Sequence, residues 1–138
     1  FQNTCVGLVQ EIEKGNFNGP ETRRILEDAL WPMMEQKIDS VVLGCTHYPF
    51  VIPLIQEIVG PDINVIDPAP AIARQTKRIL EDLNLDVSPE ENDKLLLITS
   101  GKLSDFNKFV KLVDLENYVI TKAIWVHDQK DINLVQHK

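Results

Sequence analysis

Cysteine is scarce in this chain of 138 residues: there are two, Cys5 and Cys45, far apart in sequence. That excludes a disulfide-dense secreted scaffold and a zinc site built from closely spaced pairs, and it points to a reducing cytoplasm. Basic residues are outnumbered, 14 Lys and Arg against 21 Asp and Glu, giving a formal net charge of −7. Nucleic acid and anionic membrane, which ask for a basic face, are therefore poor partners. No apolar run approaches the roughly 20 residues a membrane helix needs, and no signal-peptide pattern is present. Internal repeats are missing as well. So is a starting methionine, and because the sequence opens in mid-flow at Phe1, a fragment of a longer protein is expected. What is there is 43% hydrophobic residues, an ordinary share for a globular domain with a core. Small-molecule chemistry is the class left open.

Hydrophobic period and breakers predict alternating strands and helices, the pattern of a parallel sheet with crossover helices. A short strand should end near Cys5, and a helix over Val6–Lys14 should stop at Gly15. A longer helix should start at Pro20, with Ile25, Leu26, Ala29, Leu30, Met33 and Met34 on one face and a kink at Pro32. Ser40 to Gly44 reads as a buried parallel strand, Phe50–Val59 as a helix and Ile63–Ile66 as a strand. After the turn at Asp67-Pro68, a helix to Leu83 should bury Ile72, Thr76, Ile79, Leu80 and Leu83. Asn84–Asp93 is the linker candidate, and Leu95–Thr99 a buried strand. Phe106, Phe109, Val110 and Val113 give a helix its inner stripe, Tyr118–Trp125 is a last strand, and the polar tail from His127 should be loosely held.

The chemistry concentrates in Leu43-Gly44-Cys45-Thr46-His47-Tyr48-Pro49. Ligands of open α/β sheets bind at the carboxyl ends of parallel strands, where this run falls. Gly44 would let the backbone turn or approach a ligand, and Thr46 with nearby amides would suit a carboxylate. His47 could exchange protons with a thiol or aid its ionisation. Against this stand an inert buried cysteine, a surface histidine, and a metal site that would need two further ligands. The residues by themselves leave those readings open.

The run Gly44-Cys45-Thr46-His47-Tyr48-Pro49 resembles the signature around the second catalytic cysteine of bacterial glutamate racemases, in the aspartate/glutamate racemase superfamily. Cys5 to Gly15 resembles the family segment ending in an acidic residue before a Gly, and Asp67-Pro68-Ala69 and Thr99-Ser100-Gly101 resemble positions after later strands. Related aspartate racemases usually carry an acid in place of His47, which favours glutamate. The family's first catalytic cysteine, in a Cys-Asn-Thr context, and its N-terminal Asp-Ser have no counterpart here. Asn3-Thr4-Cys5 has those letters in the wrong order, and Cys5 matches a different family cysteine that packs at a strand end. Val6 and Gln10 stand where the family commonly has prolines.

The resemblance implies an α/β protein of two similar lobes, present as a C-terminal part: residues 1–66 in the second lobe, 67–126 in the first, to which the chain returns, and 127–138 a tail. It implies interconversion of L- and D-glutamate without cofactor or metal, supplying D-glutamate for peptidoglycan. One cysteine as thiolate removes the α-proton and another, as thiol on the opposite face, returns one; thiols, with pKa near ~8.5, suit both roles. Cys45 would be one of the two, His47 would handle protons beside it, Thr46 and His47 would hold substrate, and Glu13 would be an auxiliary acid. By burial habit alone Glu13, like Glu11, is a solvated helix acid. The rivals are a single-cysteine decarboxylase or isomerase of small diacids in the same superfamily, and a non-catalytic binding domain. A homodimer stays open.

Overall fold

The computed structural model describes residues 1–85, 94–113, 115–126 and 131–135. The chain divides into two compact units, Phe1–Asp86 and Val87–Lys138.

In the first unit helix α1 (Leu8–Glu13) lies between Gly7 at φ 91° and Gly15 at φ 82°, left-handed positions that favour glycine. Helix α2 (Pro20–Met34) has Pro20 at its first turn, where no N–H is needed, and buries Ile25, Leu26, Ala29 and Leu30. It runs past Pro32 and ends at Met34. Buried Thr22 donates its hydroxyl to the Asn16 carbonyl at 2.6 Å, fixing the approach to the helix. Strand β1 (Ser40–Val42) pairs in parallel with β2 (Asn64–Ile66), Ser40 opposite Asn64 and Val42 opposite Ile66. Between them a 3₁₀ turn (Tyr48–Val51) leads into helix α3 (Ile52–Val59), which buries Leu54, Ile55 and Val59. The Gln56 amide donates to the carbonyls of Gly60 at 2.6 Å and Ile63 at 3.1 Å, shaping the turn into β2. The core lies where α1, α2 and α3 meet, with Leu8, Ile12, Leu26 and Val51 fully buried.

Three expectations for this unit need correction. Residues 1–5 form neither strand nor helix. Strand β1 is only partly buried, with Val42 64% exposed. Helix α4 (Ala69–Asp82) forms but has no buried residue: Ile72, Thr76, Ile79, Leu80 and Leu83 are all exposed. The Thr76 hydroxyl donates back to the Ile72 carbonyl at 2.9 Å. Period 3.6 makes an apolar stripe, but burial needs a surface opposite it, and the described residues of this unit supply none.

In the second unit β3 (Leu95–Thr99) pairs in parallel with β4 (Tyr118–Val126), and β4 pairs antiparallel with β5 (Asp131–Val135). Helix α5 (Leu103–Val110) turns half-buried Phe106 and Phe109 and buried Val110 inward, as its spacing predicts. Strand β3 is not buried: Leu95, Leu96 and Ile98 are each about half exposed. Strand β5 occupies part of the tail expected to be loosely held; Asp131-Ile132-Asn133-Leu134 alternates polar and apolar, the period of a strand, and Ile132 stands opposite Trp125. The linker candidate falls largely outside the described residues. No described helix is long and apolar enough to cross a membrane.

Candidate active site

Strands β1 and β2 end side by side, and the Leu43 N–H carries the ladder one step further by donating to the Ile66 carbonyl at 3.1 Å. The chain then leaves the sheet, so Cys45, Thr46 and His47 occupy a bend between strand and 3₁₀ turn, at the carboxyl end of the parallel pair. The Tyr48 N–H to the Cys45 carbonyl at 3.3 Å and the Phe50 N–H to the His47 carbonyl at 3.2 Å hold the bend. Phe50 stacks on Phe17, ring centroids 5.8 Å apart, pinning it to the loop after α1. Gly44 does not take the left-handed backbone that would make glycine necessary for a turn. A Cβ there would meet no atom within 4 Å, so beside Gly44 there is open space.

Glu13 ends α1, and its Oε1 lies 3.4 Å from His47 Nε2. On the other side of the ring Thr46 Oγ1 is 3.5 Å from Nδ1. The ring thus stands between two polar neighbours, the Glu13 carboxylate at Nε2 and the Thr46 hydroxyl at Nδ1. Glu11 is engaged elsewhere. It accepts from Lys14 at 2.6 Å and Asn16 at 2.8 Å, and these hydrogen bonds hold its carboxyl below the usual range. Of the two neighbouring acids, Glu13 therefore reaches the motif and Glu11 serves its own helix end.

Cys45 is half-buried and free, and it lines a cavity of about 410 Å³ together with Cys5, Tyr48, Leu26 and Leu43. Thr46, His47 and Glu13 do not line that cavity. One bend thus carries two groupings: the Glu13–His47–Thr46 chain, and the thiol of Cys45 with Cys5 and Tyr48. Burial pushes the Cys5 thiol above its ordinary value, a hydrogen bond from Tyr48 pulls the other way, and a charge on Cys45 adds to the rise. The Tyr48 hydroxyl is pushed up too, first by burial and then by charge on Cys5. The sequence marks neither partner clearly: Tyr48 lies inside the motif, and nothing in the sequence links Cys5 to Cys45. Among the described residues no cluster of three or more His, Cys, Asp or Glu gathers as metal ligands.

A family model described as Asp/Glu/Hydantoin racemase matches residues 2–76, more than half of the chain. A glutamate racemase of Pseudomonas aeruginosa is 41% identical over 123 residues, covering 80% of this chain and 46% of that protein. One from Clostridium perfringens is 39% identical over 115 residues, covering 81% and 44%. The chain spans less than half the length of these curated relatives. Among solved structures, a glutamate racemase of Bacillus anthracis matches with TM-score 0.72 at 25% identity, over 84% of this chain and 43% of that one. The glutamate racemase of Francisella tularensis, solved in complex with D-glutamate, matches in fold with TM-score 0.73 at 22% identity, over 87% and 44%. The parallel β1–α3–β2 unit, the motif at its carboxyl end and the family match agree, and the chain belongs to the Asp/Glu/hydantoin racemase family.

Proposed function

We propose that this chain is the part of a glutamate racemase that carries one of its two catalytic thiols, Cys45. The observation that supports the reading most directly is the placement of Cys45, Thr46 and His47 at the carboxyl end of β1, with Glu13 brought to His47 from α1. Relatives named glutamate racemase support glutamate as the substrate.

Racemisation at the α-carbon removes a proton from one face and returns one to the other. Cys45 as thiolate takes the proton from one enantiomer, and as thiol gives one back in the reverse direction. Cys5 is not the second thiol in this reading, because Asn3-Thr4-Cys5 lacks the Cys-Asn-Thr context of the family's first catalytic cysteine, so that thiol belongs to the rest of the enzyme. His47, its ring set between Glu13 and Thr46, relays the proton between the site and solvent. The Thr46 hydroxyl and nearby backbone amides bind a substrate carboxylate. The reaction uses neither cofactor nor metal, takes place in the cytoplasm and supplies D-glutamate to the cell wall. In the complete enzyme residues 1–66 belong to the second lobe and 67–126 to the first, with glutamate between them.

The test is to follow the circular dichroism of D- and L-glutamate with the complete enzyme and its Cys45→Ala variant. The complete enzyme should take either enantiomer to the racemate, and the variant neither. Glutamate left unchanged by the complete enzyme would end the substrate assignment.

A further inference from the structure

The cavity of about 410 Å³ brings together two free thiols from distant parts of the sequence. Cys5 belongs to a segment without helix or strand, held by the Leu8 N–H to the Cys5 carbonyl at 3.1 Å and the Asn3 amide to the Ala29 carbonyl at 3.1 Å. Cys45 opens the bend after β1. Tyr48 lines the same cavity, its N–H donating to the Cys45 carbonyl at 3.3 Å. Both thiols line the one cavity, and an irregular segment such as that of Cys5 can adjust to a disulfide's geometry where a strand cannot. We propose that Cys5 and Cys45 form a modification site, a thiol pair that a hydroperoxide oxidises to an intrachain disulfide across this cavity.

The Cys45 thiolate attacks the terminal oxygen of the hydroperoxide. The O–O bond breaks, Cys45 becomes a sulfenic acid, and the departing oxygen takes a proton and leaves as water or an alcohol. Cys5 then loses its proton to water and attacks Cys45 Sγ; the S–O bond breaks, the S–S bond forms, and hydroxide leaves as water. Two thiols are oxidised by two electrons and one hydroperoxide is reduced. Burial favours the neutral form of Cys5, which suits it to the part of the thiol that reacts second. In one respect this rests on the proposed function: if Cys45 is the racemase thiol, the disulfide stops proton transfer until a dithiol reduces it.

The chain is treated with hydrogen peroxide in native buffer and in concentrated urea, then digested and read by mass spectrometry. The native chain should yield a linked peptide pair containing Cys5 and Cys45, lighter by two hydrogens, formed several-fold faster than in urea and lost with dithiothreitol. Cys5→Ser should instead leave a Cys45 sulfenic acid that dimedone traps. Oxidation of Cys45 to sulfinic acid with Cys5 still a thiol, disulfides only between chains, or equal pairing in urea would each overturn the proposal. A complete enzyme that still racemises as Cys45→Ala would end the catalytic reading and leave the disulfide standing. A silent Cys45→Ala enzyme with no linked peptides would do the reverse.

Discussion

Helices α2 and α4 are nearly equal in length, 15 and 14 residues, and each has a proline near its start and an apolar stripe at helical spacing. Helix α2 buries five residues and α4 buries none. The difference lies outside the helices themselves. Helix α2 has α1 on one side and α3 on another, whereas the stripe of α4 meets no described surface of its own unit. Amphipathic period states which face seeks cover; it does not supply the cover.

The comparison predicts unequal answers to the same substitution. Leu26→Ala in α2 empties a fully packed site and should cost about 2–4 kcal/mol, while Leu80→Ala in α4 should stay within roughly 0.5 kcal/mol. Urea unfolding of the two variants measures both, and equal losses would mean that α4 is covered after all. Next in size is Thr22→Val at the start of α2, which keeps shape but leaves the Asn16 carbonyl without its donor and should cost about 1–2 kcal/mol.

A pH effect of similar origin belongs to the cavity beside α2. Burial raises the folded-state pKa of Cys5 above its ordinary 9.0, so the unfolded chain releases that proton first. The stability it carries is complete below pH 9.0 and is lost as pH rises through the folded value. Urea midpoints should therefore fall on the alkaline side, and Cys5→Ala should flatten that fall. Smaller still in its effect on folding is an α4 variant with Ile72, Ile79 and Leu83 changed to Gln. It should leave the urea midpoint alone but reduce self-association by analytical ultracentrifugation, since exposed apolar stripes drive association. At the small end is Glu57→Gln, which breaks the 2.6 Å pair with Arg23 between α2 and α3. That pair is solvent-screened, and the midpoint should not move measurably.

The same contrast explains what was legible in the sequence. The elements that bury themselves locally were readable: α2 from its stripe, α3 from its apolar run after Pro49, the parallel pair β1–β2 from continuous aliphatics. Burial of β3 and α4 was misjudged because hydrophobicity was taken as cover already present. Strand β5 was missed because its alternation was outweighed by a polar composition. At the site, the motif located Cys45, Thr46 and His47 at a strand end, and the resemblance of Cys5–Gly15 to the family segment pointed to Glu13, which the residues alone do not separate from Glu11. The meeting of Cys5 with Cys45 was illegible, because it depends on how an irregular segment lies against β1 and no local pattern encodes that.

The central claim is that Cys45 handles the α-proton on one face of glutamate and another thiol handles it on the opposite face. The most direct measurement gives each enantiomer separately, in deuterated water, to the complete enzyme carrying Cys45→Ala, and follows the α-hydrogen by NMR. With one base removed and the other intact, exchange of solvent deuterium should occur with one enantiomer only, without inversion. Inversion by the variant, or exchange of both enantiomers at equal rates, would contradict the role given to Cys45.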